Sequence, residues 1–296
     1  VEMGAYIEGE IRDICKLTRP QISIVTAVGP QHLERFGSIE ATVRAKYEII
    51  EALPRDGVGI FNWDNHEVRV MYERGYPDTR IAVTWENAEH ATQLRFLARK
   101  VRQTVDGLSF EVVDTLLGER EQFSTPLVGK HNVTNILLAT AVARHLGMPL
   151  REIAVRVATL QSAEHRLQRK TLPGGITIID DAYSANPVGA RNVLDVLALY
   201  RDGRRVLITP GIVELGPLHA QENQILGRLA AKVCTDIVLV GAEQTRPIQQ
   251  GIREASFPEE HLFVCDTRDE AIAWFHRELK EGDTVLFLND LPDTYL

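Results

Sequence analysis

Lys46 stands in the middle of an apolar stripe. In "HLERFGSIEATVRAKYEIIEAL", from His32 to Leu53, Ile39, Val43, Ile50 and Leu53 recur at three- and four-residue steps. That spacing predicts one greasy helix face, and Lys46 falls on it, three residues after Val43 and four before Ile50. An ammonium taken out of water must be paired, neutralised or chemically changed. The alternative is a lysine at the edge of the stripe that snorkels its head back to solvent. The spacing is compatible with both.

Other chemistry-bearing residues fall at the ends of apolar runs. Glu2 in "VEMGA" closes an apparent strand, and His32 follows the strand-like "SIVTAVG" after a short loop. A glutamate, a histidine and a lysine near consecutive strand ends form a candidate metal set, whose hard oxygens and single imidazole suit Mg²⁺ or Mn²⁺ better than zinc. The same residues would also serve as ordinary satisfied surface groups. Asp180 and Asp181 end the apolar "ITIIDD", and two adjacent carboxylates are more than a turn requires.

The elements that would position these groups alternate between strand and helix, which predicts an α/β fold. In the first half, "QISIVTAVG", "GVGIFNWD" and "RIAVTW" read as strands, "LSFEVVDTLL" as paired strands, and "HNVTNILLATAVARHLG" and "PLREIAVRVATL" as helices. From about Gly174 the alternation becomes regular, with five strands separated by four helices on short connections, the pattern of a mostly parallel sheet covered on both faces. Asn186 before Pro187 makes a strong helix start. The boundary is expected near Ala163, giving units 1–163 and 164–296. In such a sheet ligands bind beyond the carboxyl ends of the strands, where Asp180, Asp181, Thr209 to Gly211, Gly241, Asp266 and Asn289 fall.

Composition excludes several classes. With 44% hydrophobic and 25% charged residues, the 296-residue chain has an ordinary globular make-up, large enough for two cores. A net charge of -8 and the lack of a long basic cluster argue against general nucleic-acid binding. The three cysteines are scattered without metal-ligand spacing and fit a reducing cytoplasm. No apolar run has the length of a membrane span. The opening "VEMGAY" lacks an initiator methionine, so a fragment is expected.

Taken together, "EMGA", "SIVTAVGPQHLERFGSIE", "AKYEII", "GKHNVTNILLA", "EHRLQ", "IIDDAYSANP" and "VELG" resemble, in order, the motifs of the Mur ligase family, ATP-dependent amide ligases of peptidoglycan synthesis. The resemblance implies the remainder of a central ATPase domain followed by a Rossmann-like C-terminal domain. It implies that Lys46 is carbamylated and, with Glu2 and His32, holds Mg²⁺. Asn135 would contact adenine, Arg166 would act near the triphosphate, and Asp181 would meet the nucleotide ribose. Lys46, His32 and Arg166 would form the catalytic group.

The implied reaction transfers a phosphoryl group from ATP to a substrate carboxylate, and an amine then attacks the acyl phosphate. The implied substrates are a UDP-muramoyl peptide and D-alanyl-D-alanine. Alternatives are another ligase of the superfamily, of folylpolyglutamate or cyanophycin type, or a non-catalytic nucleotide-binding module.

The chain departs from the family pattern in three places. No glycine-rich phosphate loop is present: at the only Gly-Lys pair, Gly129-Lys130, Ser124 stands where the loop glycine belongs and His131 where the hydroxyl belongs. The chain alone is therefore expected to be inactive. "TPGIVELG" lacks the usual acidic residue after its glycine, and "NDLPDTYL" replaces a basic glycine-serine motif.

Overall fold

A computed structural model of the chain describes residues 1–30, 32–86, 94–183 and 185–289. It divides into two compact units, Val1–Gln161 and Ser162–Leu296.

In the first unit the elements run α1 (Glu10–Thr18), β1 (Ile22–Val25), α2 (Leu33–Phe36), α3 (Ile39–Glu51), β2 (Val58–Asn62), α4 (His66–Glu73) and β3 (Thr79–Thr84). They continue with β4 (Phe96–Thr104), β5 (Gly107–Asp114), β6 (Glu119–Thr125), α5 (His131–His145) and α6 (Leu150–Val157). The six strands form one sheet in sequence order, parallel from β1 to β4 and antiparallel across β4, β5 and β6. Alternation along β2 sorts the core into two layers. Val58 and Ile60 pack with Val133, Ile136 and Leu137 of α5, while Phe61 packs with Val43, Tyr47 and Ile50 of α3 and with Val68 and Met71 of α4. Both faces being covered, β2 is buried along its whole length, as a parallel strand between helical layers must be.

The second unit contains β7 (Gln168–Thr171), β8 (Thr177–Asp181), α7 (Pro187–Leu197), β9 (Arg205–Thr209), α8 (His219–Val233), β10 (Asp236–Val240), α9 (Arg246–Glu254), β11 (Leu262–Cys265), α10 (Arg268–Glu278) and β12 (Thr284–Leu288). The sheet order is β11-β10-β9-β12-β8-β7, all parallel except β7. Val206, Val238 and Val285 meet Trp274 and Phe275 of α10 on one face. The alternate positions Leu207, Leu239 and Leu286, also fully buried, face the other way. Helices α8 and α9 approach closely because both carry glycine at the crossing. A Cβ on Gly227 would lie 2.2 Å from the Ile248 carbonyl oxygen, and one on Gly251 2.0 Å from that of Gln224.

Several expectations change. Residues 1–5 form no strand, so Glu2 lies in an exposed irregular segment rather than at a strand end. The strand expected over "QISIVTAVG" stops at Val25. The stretch "LSFEVVDTLL", expected as paired strands, holds the single strand β5, whose partners β4 and β6 flank it, and these two, α1, α4 and β7 were not expected from the sequence. Of "NDLPDTYL", only Asn289 lies within the described residues.

Candidate functional site

Helix α3 begins at Ser38, whose hydroxyl accepts from the Ala41 amide at 3.2 Å, and it turns Val43, Tyr47 and Ile50 into the core. Lys46 lies half-buried beside that face. Its head reaches the loop after β1, where Nζ donates to the carbonyl oxygen of exposed Ala27 at 3.1 Å. Burial pushes the ammonium below its usual range, which raises the share of neutral, nucleophilic amine.

The segment that accepts Lys46 is itself held by side chains. Asn62 Nδ2 donates to the Thr26 carbonyl at 2.8 Å. Asn65 Nδ2 donates to the Val28 carbonyl at 2.9 Å, and Asn65 Oδ1 accepts from the Val28 amide at 3.3 Å. Three consecutive carbonyls after β1 are thus each engaged by a side chain, which fixes residues 26–28. Asn65 also caps α4 through the Val68 amide, so one residue orders a helix start and a neighbouring loop.

His32 occupies the position before α2 with a left-handed backbone (φ 55°), and its ring meets Tyr6 edge-on at 5.0 Å. Behind Tyr6, the segment carrying Glu2 is anchored by Glu48. Glu48 is only 3% exposed and lies two residues beyond Lys46, so it points to a different side of α3. Its carboxylate accepts from the Gly9 amide at 2.7 Å and the Arg12 amide at 3.0 Å, and meets the Arg12 guanidinium at 3.1 Å. Helix α1 has no cap of its own; Glu48 supplies it from another helix. Lys46 is thus tied to Ala27, His32 to Tyr6, and the start of α1 to Glu48. Among the described residues, no three His, Cys, Asp or Glu side chains gather as a metal site.

At the carboxyl ends of β2 and β3, Asp64 accepts from the Thr84 hydroxyl and from the Trp85 amide at 3.0 Å. Trp85 Nε1 in turn donates to Thr134 on α5 at 3.1 Å. Burial first, and then the Asp64 charge, push the Glu86 carboxyl up, with Lys130 opposing. Burial pushes the His131 imidazole down, and its Nδ1 is buried without a hydrogen-bond partner. Asn135 is exposed and donates to Asn132 Oδ1 at 3.2 Å.

In the second unit Arg166 and Asp181 come together. Asp181 Oδ1 accepts from the Leu167 amide at 2.9 Å, and burial pushes its carboxyl up against the opposing effects of that amide and of Arg166. The Arg166 guanidinium lies over the Tyr183 ring, 4.2 Å from its centre. Asp180 holds His165 Nδ1 at 2.9 Å and Lys170 at 3.8 Å. The result is an exposed basic and aromatic surface over a half-buried carboxyl, suited to a polyhydroxylated or anionic ligand.

The reading from sequence missed Glu48, Asn62, Asp64 and Asn65. For Asn62, Asp64 and Asn65 the signal was "FNWDNHE", a dense polar run that closes an apolar strand; Glu48 had none.

Comparison with known proteins gives this geometry a context. The UDP-N-acetylmuramoyl-tripeptide--D-alanyl-D-alanine ligase of Escherichia coli is 31% identical over 254 residues, covering 84% of this chain and 53% of that protein. The enzyme of the same name from Haemophilus influenzae is 26% identical over 292 residues, covering 97% of this chain and 60% of that protein. This chain therefore spans between half and two thirds of the length of these relatives. A crystal structure of MurF from Acinetobacter baumannii superposes with a TM-score of 0.81 at 26% identity, covering 98% of this chain and 60% of that one. The MurF ligase from Thermotoga maritima in complex with ADP, at 20% identity and a TM-score of 0.81, shares the fold. Residues 1–143 match the Mur ligase middle domain and residues 165–289 the Mur ligase, glutamate ligase domain; the chain belongs to the Mur ligase family.

Proposed function

We propose that this chain supplies the middle and C-terminal domains of an ATP-dependent amide ligase that joins D-alanyl-D-alanine to a UDP-muramoyl tripeptide. The observation that carries this reading is the half-buried Lys46, held on the Ala27 carbonyl within a chain similar along 97% of its length to enzymes named for that ligation. ATP and Mg²⁺ are the proposed cofactors.

An unmodified ammonium repels a cation, so the donor set of Glu2, His32 and Lys46 fits Mg²⁺ only after Lys46 changes. The neutral amine favoured by burial adds to CO₂: the nitrogen lone pair forms the C–N bond, one proton leaves to solvent, and Nζ then bears a carboxylate. That group supplies hard oxygens where the amine had none. Bound Mg²⁺ would neutralise phosphate charge. His32 and Glu2 would complete the set, with Asn65 holding the loop after β1 and Glu48 the start of α1. In the second unit Arg166 offers charge to phosphate oxygens, and Asp181, with Tyr183 beside it, offers hydrogen bonding to a ribose.

The test is ligation by the complete gene product with ATP, Mg²⁺, bicarbonate, UDP-muramoyl tripeptide and D-alanyl-D-alanine. Phosphate release that requires both substrates supports the proposal. Release with another amine or acyl acceptor in their place would reassign the substrate within the family. The 296-residue chain alone, without a phosphate loop, is expected to show no turnover.

A further inference from the structure

The carboxyl end of β12 carries a residue whose role nothing above accounts for. Asn289 follows β12, the strand inserted between β9 and β8, and so lies beyond the carboxyl ends of the central strands of the second sheet. It is 8% exposed with a left-handed backbone (φ 63°), a conformation that asparagine tolerates and most residues do not. Its side chain joins two loops. Oδ1 accepts from the Ala185 amide at 3.3 Å, in the connection from β8 that carries Tyr183, and Nδ2 donates to the Gly211 carbonyl at 2.7 Å, in the connection from β9. Its own amide donates to the Asp181 carbonyl at 3.1 Å.

The loop after β9 is held at further points across residues 210–212. Thr209 Oγ1 accepts from the Gly211 amide at 3.0 Å and donates to the Leu288 carbonyl at 2.7 Å. Gln244 donates to the Pro210 carbonyl at 2.9 Å. Fully buried Asn223 accepts from the Ile212 amide and donates to the Ile212 carbonyl, each at 2.8 Å. This loop leads directly to Glu214, which also has a left-handed backbone (φ 58°). A polar loop so fully satisfied cannot slide to suit a ligand; its shape is set before binding.

We infer that Asn289 is a positioning residue that locks the β8 and β9 connections together and so fixes the surface that Asp181 and Tyr183 offer to the nucleotide. The inference rests on the ligase reading above for the identity of that ligand. Asn289 itself touches no reacting atom. It acts through the loops bearing Tyr183 and Glu214.

Two variants separate side chain from backbone. Asn289→Gly keeps the left-handed backbone and removes both side-chain bonds. Asn289→Asp retains the acceptor for Ala185 and sets a carboxylate oxygen against the Gly211 carbonyl. In the 296-residue chain, hydrogen exchange at the Ala185 amide should accelerate at least about tenfold in Asn289→Gly and stay slow in Asn289→Asp. Unchanged exchange in Asn289→Gly would overturn the brace.

In the complete gene product, both variants should raise the KM for ATP by about tenfold, with the KM for D-alanyl-D-alanine unchanged. Equal changes in both constants, or in neither, would overturn the positioning role. If the unaltered protein shows no ATP-dependent ligation, the nucleotide assignment falls with the ligase reading, while exchange at Ala185 still decides the brace on its own.

Discussion

Lys46 in the first unit and Asp181 in the second are both half-buried ionisable groups that burial drives toward neutrality, the one by lowering its pKa and the other by raising it. Their surroundings differ. Lys46 projects from a regular helix beside Val43, Tyr47 and Ile50 and donates to a single backbone carbonyl, whereas Asp181 ends a strand amid the Leu167 amide, Arg166 and Asp180. A group with one neutral partner in an apolar setting is free to change chemically without breaking a network. A carboxyl in a polar web is suited to remain as it is and to orient a ligand. Removing each group should therefore have effects of different kinds.

The largest effect is expected from Lys46→Ala. In the complete gene product it should abolish ligation while moving unfolding stability by no more than about 1 kcal/mol, since the deletion strips no partner except one loop carbonyl. Activity and urea unfolding measured together check this. Full activity would mean that Lys46 is only a surface residue of α3. Acetate or formate supplied in solution should restore part of the activity by occupying the vacated space.

Glu48→Ala sharpens the comparison from the other side of the same helix. It leaves the Gly9 and Arg12 amides unpaired and should destabilise the chain by about 2–3 kcal/mol. The loss should centre on α1, read as faster amide exchange there than in α5. Two residues of one helix would then separate cleanly into a chemical role and a structural one.

Asp181→Asn keeps an oxygen for the Leu167 amide and removes the charge. Because folding raises this carboxyl above its unfolded value of 3.8, the native state binds the extra proton, and wild-type stability falls as pH rises from 3.8 through the folded value. The variant should thus be the more stable at pH 7, with the gain shrinking as pH falls toward 3.8. Urea unfolding across that range checks the sign. The smallest effect on stability is expected from Arg166→Ala, whose exposed stack on Tyr183 contributes less than about 1 kcal/mol, read by the same urea unfolding.

What the sequence made legible follows the same division. Lys46 was visible because a helix imposes a period, and a charge on the apolar phase breaks it. The five parallel strands of the second unit were visible because each is a short apolar run followed by a turn residue, and Asn186 caps α7 through the Gly189 amide as its position before Pro187 predicts. Glu48, Asn62, Asn65 and Asn289 were not visible as braces. Their partners lie 36 to 104 residues away, and no local pattern marks a carboxylate as the cap of another helix. Helix α1 escaped notice because only Ile11 and Cys15 of its nine residues are buried. Residues 1–5 read as a strand on composition alone, without a neighbouring strand to pair with.

The central claim is that α3 holds the Lys46 amine in a desolvated state on the Ala27 carbonyl. It is tested most directly by NMR titration of the Lys46 Cε resonance in the 296-residue chain, in CO₂-free buffer and with Lys46→Ala to assign the signal. The account predicts a midpoint below the ordinary lysine value of 10.5, and on adding ¹³C-bicarbonate a carbamate resonance that the alanine variant lacks. A midpoint at or above 10.5 would contradict it.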